Sequence, residues 1–257
     1  MTYKIIETHC HLDYLKHKPL EEILLEAKNQ GIEKILTIAV EPANFDAAFE
    51  LSKNHDEIYF TQGIHPHDAK LHTPEAFLTI KERASEPKML AVGEIGLDYH
   101  YDNSPREIQK EVFKKQLEIA IEVNKPVVIH SRDADEDTIS ILKEYAPRLL
   151  KKGVIHSFTS GPELAQVAID LGFYLGFNGI ITFKTAQNVR DIVTLCPINR
   201  MLLETDAPFL TPVPHRGKEN APQYLPFILE KIAEIKNTKP ADIEQACYQN
   251  SIDLFTF

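Results

Sequence analysis

The chain alternates short, almost unbroken apolar runs with longer stretches in which apolar residues recur every three or four positions. The short runs are "YKIIET", "KILTIAV", "IYFTQGI", "KMLAVGE", "PVVIH", "GVIHSF", "FYLGFN" and "RMLLET". They are rich in Ile, Val and Leu, and few show the in–out alternation of a half-exposed sheet. Such runs read as parallel strands covered on both faces.

Helical patterns lie between them. "PLEEILLEAKNQG" puts Ile23, Leu24 and Ala27 on one face and offers Gly31 as its stop. "SPREIQKEVFKKQLEIAIEVN" begins with Ser104 as predicted cap, Pro105 in the first turn and Glu107 three residues after the cap. "GPELAQVAIDLG" and "TAQNVRDIVTL" continue the beat, and "APQYLPFILEKIAEIKN" and "PADIEQACYQNSIDLF" follow the last strand. No Gly/Ser-rich linker, charge block or repeat divides residues 1–257. The expected architecture is one α/β domain, a (β/α)8 TIM barrel with extra C-terminal helices. An open doubly wound sheet is the alternative, but no glycine fingerprint follows the first run.

Composition narrows the function classes. The 257 residues, 43% of them hydrophobic, are ample for one large core, and the net charge of −10 excludes a surface that coats polyanions. Cys10, Cys196 and Cys247 are too few and too scattered for a disulfide framework or a zinc knuckle. No charged segment leads into an apolar signal core, and no stretch approaches the roughly 18 apolar residues of a spanning helix. A cytoplasmic protein without membrane contact and with no obligate protein partner is expected.

The chemistry sits at the ends of the predicted strands, where barrel enzymes build their active sites. The first ends in His9 and His11, which share a face at i, i+2 while Cys10 turns away as a small buried residue. The fourth ends in Glu94, the fifth in His130, the sixth in His156 and the eighth in Asp206. A lone histidine in such a place is more often packed than ligating, but six ligand-type residues at equivalent ends point to a metal centre. Nitrogen and oxygen donors without thiolate suit zinc, manganese or similar divalent ions, and magnesium prefers oxygen. Six donors exceed the needs of one catalytic zinc, so two divalent ions are expected, with Glu94 as the bridge because each carboxylate oxygen can face a different ion.

The same stretches carry a resemblance. His9-x-His11, "GIHPHDA", "GEIGLDY", "VIHSRDA", "VIHSFTSG", "GFNGIITFK", "LLETDAPFLTP" and "HRGKEN" together look like the TatD-type deoxyribonuclease family of the amidohydrolase superfamily, across essentially the whole chain. The resemblance implies a TIM barrel with a divalent-metal site hydrolysing phosphodiester bonds, often as a 3′-to-5′ exonuclease. It makes His9, His11, Glu94, His130, His156 and Asp206 the ligands. Two positions depart from the family pattern. Glu7 stands where Asp is usual, so its extra methylene is expected to shift a supporting carboxylate, and Ala221 stands where Glu usually precedes the proline.

The expected chemistry is attack on phosphorus in DNA, at a single strand or a 3′ end, by hydroxide that the metals make available near neutral pH. Glu94 and Asp206 are the catalytic carboxylates, Asp206 as base towards the attacking water if its surroundings raise its pKa. Arg132, Lys184 and Arg216 on the loops after strands five, seven and eight, with His65 and His67 after strand three, are expected to form a phosphate-binding rim, His65 among them contacting the substrate. "GIHPHDA" reads as a turn at Pro66 rather than as further ligands. His17, His55, His72 and His215 read as solvated, and Asp98 and Tyr99 as loop supports. The alternative reading is a metal hydrolase of an amide, lactone or ester. That branch of the superfamily often bridges its metals with a carboxylated lysine where this chain has Glu94 or His130.

Overall fold

In the computed structural model, which describes residues 3–257, the eight apolar runs form one eight-stranded parallel sheet in chain order. The strands are β1 (Ile5–Cys10), β2 (Ile32–Ala39), β3 (Ile58–Gln62), β4 (Met89–Asp98), β5 (Val127–Arg132), β6 (Gly153–Ile155), β7 (Tyr174–Phe177) and β8 (Met201–Leu203). A parallel bridge between Cys10 and Ala207 brings the last strand's extension back to the first, so the sheet closes as a (β/α)8 barrel.

The outer ring is α1 (Leu20–Asn29), α2 (Phe45–Asn54), α3 (Pro74–Arg83), α4 (Arg106–Val123), α5 (Asp135–Tyr145), α6 (Pro162–Asp170), α7 (Gln187–Leu195) and α8 (Leu225–Lys236). Of the two predicted C-terminal helices, α8 is therefore the barrel's own eighth. Only α9 (Pro240–Phe255) is extra. Ile23, Leu24 and Ala27 are the buried face of α1, as their spacing predicts. Gly31 follows that helix at φ +86°, and a Cβ there would sit 1.7 Å from the Tyr3 carbonyl oxygen, so only glycine fits.

Two apolar layers hold the barrel. One lies between sheet and helices. The other fills the lumen with Leu36, Ile38, Leu90, Val128, Val154, Tyr174 and Leu202, and Leu254 and Phe255 of α9 pack beneath it. The apolar side chains of the two layers leave the C-terminal ends of the strands to carry polar groups. Among the described residues no helix is long and apolar enough to cross a membrane.

Ser104 does not cap α4. The helix begins after Pro105 without a side-chain cap, and the buried Ser104 hydroxyl instead donates to the His67 carbonyl (2.8 Å) and accepts from the Lys70 N–H (3.1 Å). It ties the loop after β4 to the loop after β3. That second loop is a short 3-10 helix, Pro66–Leu71, rather than a simple turn at Pro66.

Candidate metal centre

The strand ends bring the six predicted donors together and add a seventh residue. His9, near the end of β1, is the centre of the group. Its Nε2 lies 3.4 Å from Glu94 Oε2 and 3.7 Å from Asp206 Oδ1. Asp206 Oδ1 is also 3.6 Å from His11 Nε2. On the other side, Glu94 Oε1 lies 2.7 Å from His156 Nε2, 3.0 Å from His130 Nδ1 and 3.3 Å from His65 Nε2. Three groups of possible ligand atoms lie within 4.8 Å of one another: His9, His11 and Asp206; His9, Glu94 and His156; and His65, Glu94 and His130.

A metal fits this donor set on a direct observation. Both ring nitrogens of His9 are buried without a hydrogen-bond partner among the described residues, an arrangement that costs free energy unless something else satisfies the ring. Glu94 turns Oε2 towards His9 and Oε1 towards the β5 and β6 histidines, the two-sided posture a bridging carboxylate needs.

Neighbours set which nitrogen each ring presents. The His11 Nδ1–H donates to the Ile38 carbonyl (3.0 Å), leaving the Nε2 lone pair to face Asp206 and the cluster. The His130 Nε2–H donates to Asp98 Oδ2 (2.9 Å), so its Nδ1 faces Glu94. Asp98 is more than a loop support. The same oxygen takes the His67 Nε2 (3.1 Å), and Oδ1 accepts the backbone N–H groups of Tyr101 and His100. His156 turns Nδ1 towards Glu204 Oε1 at 3.7 Å. Glu204 also accepts the Ser157 N–H and fills the space beside Gly176, where a Cβ would meet its Oε2 at 2.2 Å.

His65 has the opposite polarity. Its Nδ1 accepts the His67 backbone N–H (3.2 Å), so the neutral ring carries its proton on Nε2, which points at Glu94. It is arranged as a donor into the site, not as a lone pair.

Burial and mutual charge set the protonation pattern. Burial alone would raise the Glu94 carboxyl, but His156, His65 and His130 outweigh it and hold it well below the usual range. Burial opposes Asp98 in the same way, and hydrogen bonds from His130 and His67 overcome it. Asp206 is likewise pulled down, against burial, by His11, His9 and His156. This corrects the sequence-based condition on its role as base: its surroundings lower its pKa, and it stands ionised at neutral pH. Burial pushes His9 down, with His156 adding to the effect. His65 is lowered to about 4, chiefly by burial. His156 is raised well above its ordinary value, because Glu94 and Glu204 outweigh burial.

Glu7 joins two strand ends. Its carboxyl group is fully buried and accepts N–H groups from His9 (3.0 Å) and Thr205 (2.9 and 3.1 Å), pinning the His9 strand to the Asp206 strand. Ala221 is buried beside Asn220, whose side-chain amide donates to the carbonyls of Thr205 and Phe209.

The cations expected around the mouth are all placed. Arg132 lies over the Tyr101 ring at 4.9 Å, and Arg216 over Phe183 at 3.8 Å with a hydrogen bond to the Thr211 carbonyl. Lys184 is exposed and forms no ion pair among the described residues. His17 and His215 are not simply solvated: His17 Nδ1 pairs with Glu219 at 2.7 Å, and His215 stacks on Tyr224. Sequence reasoning missed what Glu204 does, and it set His67 on the phosphate rim, whereas the structure turns its Nε2 to Asp98. The run "LLETD" and the pair His65-Pro66-His67 held the signal, since each puts a second polar group two residues from a candidate site residue.

Known proteins are similar to this chain along its whole length. The family model described as TatD related DNase matches residues 6–256. The uncharacterized metal-dependent hydrolase YabD of Bacillus subtilis is 41% identical over 252 residues, 98% of each chain. The uncharacterized metal-dependent hydrolase YcfH of Escherichia coli K12 is 36% identical over 255 residues, 98% of this chain and 95% of YcfH. Among solved structures, the TatD homologue YjjV of the same bacterium superposes over 100% of both chains with a TM-score of 0.93 and 31% identity. A match running from β1 through α9, over a barrel whose strand ends converge on one cation-binding cluster, leaves one assignment: the chain belongs to the TatD family of metal-dependent hydrolases.

Proposed function

We propose that the protein is a divalent-metal-dependent deoxyribonuclease that shortens single-stranded DNA, or DNA ends, from the 3′ side. The observation that carries the reading is Glu94, a buried carboxylate whose two oxygens face two different sets of donors at the mouth of a TatD barrel. His9, His11 and Asp206 would hold one ion, and His130 and His156 the other, with Glu94 between them. Divalent ions held there supply Lewis acidity and bring the pKa of a bound water towards neutrality.

The chain's own residues supply the rest. Asp206, ionised and facing His9 and His11, is placed to accept a proton from the attacking water. The His65 Nε2–H is aimed to donate to a phosphoryl oxygen drawn in beside Glu94. Arg132, Lys184 and Arg216 provide a few cationic contacts around an otherwise acidic protein, enough for a strand end and too few to coat a duplex. Glu94 and His130 stand where the amide- and lactone-cleaving branch often carries a carboxylated lysine, which favours the phosphodiester reading.

The test is elemental analysis of the purified protein, then turnover of a 5′-labelled single-stranded oligonucleotide with zinc, manganese or magnesium. A ladder of products losing nucleotides from the 3′ end, abolished by a chelator, is expected. Intact oligonucleotides beside turnover of amide, lactone or ester substrates would overturn it.

A further inference from the structure

The rings at the mouth form a continuous row. Tyr101 lies 5.4 Å from His67 between ring centroids, His67 lies 6.3 Å from His130, and His130 lies 5.6 Å from His156. His156 stacks on His9 at 3.8 Å, His9 lies 5.2 Å from His11, and His11 lies 6.2 Å from Phe209. Five imidazoles thus separate two aromatic side chains, and only those two ends are open: Tyr101 is 55% exposed and Phe209 51%.

Neither end is loose. The Phe209 N–H donates to the Asp206 carbonyl (2.9 Å), and its own carbonyl accepts from the Asn220 amide. Its backbone therefore belongs to the same turn that presents Asp206. The Tyr101 N–H donates to Asp98 Oδ1 (2.9 Å), and its ring is flanked by His67, by His100 at 4.8 Å and by the Arg132 guanidinium. A large aromatic ring left in water at each end of the donor cluster, on a backbone tied to that cluster, has no role in the core, and leaving it exposed forgoes the free energy of burial. Both rings suit stacking against a flat, unpaired aromatic group, which stabilises single-stranded nucleic acid without reading its sequence.

The geometry points to two nucleobase subsites, one on Tyr101 and one on Phe209, that grip the nucleotides on either side of the scissile phosphate in single-stranded DNA. This rests on the nuclease reading above and adds what that reading leaves open: the site recognises bases as well as phosphate, through stacking. It also gives the strand a path across the mouth, between the Asp98 side and the Asp206 side.

The test is a cycle between protein ring and substrate base. Wild type, Phe209→Ala and Tyr101→Ala, each metal-loaded and checked for unchanged metal content and circular dichroism, are assayed on a single-stranded oligonucleotide. They are then assayed on the same oligonucleotide with its last two 3′ nucleotides replaced by tetrahydrofuran residues that lack a base. Stacking of about 1–3 kcal/mol per base predicts a loss in kcat/KM of roughly 5- to 150-fold for each substitution on the natural strand, mostly through KM. On the base-free strand the substitutions should add little, and Phe209→Tyr should restore most of the loss on the natural one. Equal losses on both strands would show a merely structural role and overturn the proposal, as would no loss on either. A wild-type enzyme that leaves the natural strand uncut defeats the nuclease reading itself, an outcome visible before any variant is compared.

Discussion

Replacing Asp98 by Asn keeps the side chain's shape and one acceptor but turns an acceptor into a donor where two rings need the opposite. The Oδ1 position can go on taking the N–H groups of Tyr101 and His100. At Oδ2 an amide N–H would confront the His130 Nε2–H, now 2.9 Å from a carboxylate oxygen, and the His67 ring at 3.1 Å. The arrangement relaxes if His130 moves its proton to Nδ1, the atom 3.0 Å from Glu94 Oε1, which removes the lone pair offered to the cluster. Loss of such an orienting carboxylate typically costs 10- to 100-fold in metal affinity or activity, or about 1.4–2.7 kcal/mol. Asp98→Asn should therefore need about 10- to 100-fold more free metal for half-maximal occupancy. The His9, His11 and Asp206 set, which Asp98 does not touch, should keep its wild-type affinity. Metal titration followed by calorimetry, with competing chelator, resolves the two steps. Wild-type affinity at both steps would refute the tautomer argument, and equal weakening of both would show general damage rather than misorientation of His130.

Glu94→Ala should lose one or both metals and nearly all turnover, because among the described residues no other carboxylate faces both donor sets. Its metal-free thermal midpoint should stay near wild type, since the apolar lumen lies below it; elemental analysis and thermal melts check both. Glu7, raised to about 8 chiefly by burial, binds a proton more tightly folded than unfolded. Its contribution is thus full at acid pH and lost as pH rises from the ordinary carboxyl range through about 8. In chelator, melts of wild type should fall in stability across that window, and Glu7→Gln should flatten the slope; parallel curves would refute it. Lys184→Ala and Arg216→Ala should each weaken binding of single-stranded DNA and lower the slope of log affinity against log salt by about 0.7, measured by fluorescence anisotropy. An unchanged slope would remove that residue from the phosphate contacts.

The local pattern of residues was enough to specify the barrel. Runs such as "KMLAVGE" and "PVVIH" are too apolar for any place but a covered parallel strand, and amphipathic segments between them leave each strand a right-handed way back to the next. Strand-end chemistry was legible for the same reason: a parallel barrel points all eight carboxyl ends one way, so His9, Glu94, His130, His156 and Asp206 must share a mouth once the strands are known. Hydrogen bonds between distant segments were not legible. That Ser104 bonds His67 rather than capping α4, and that Glu7 joins His9 to Thr205, depends on the pairing of loops far apart in the chain. The polarity of each imidazole lay equally out of reach, because a ring's tautomer is set by whatever its other nitrogen meets. His11 meets the Ile38 carbonyl, His130 meets Asp98 and His65 meets a backbone N–H. One-dimensional spacing shows which groups arrive at a site. Only packing in three dimensions decides which atom each of them turns towards it.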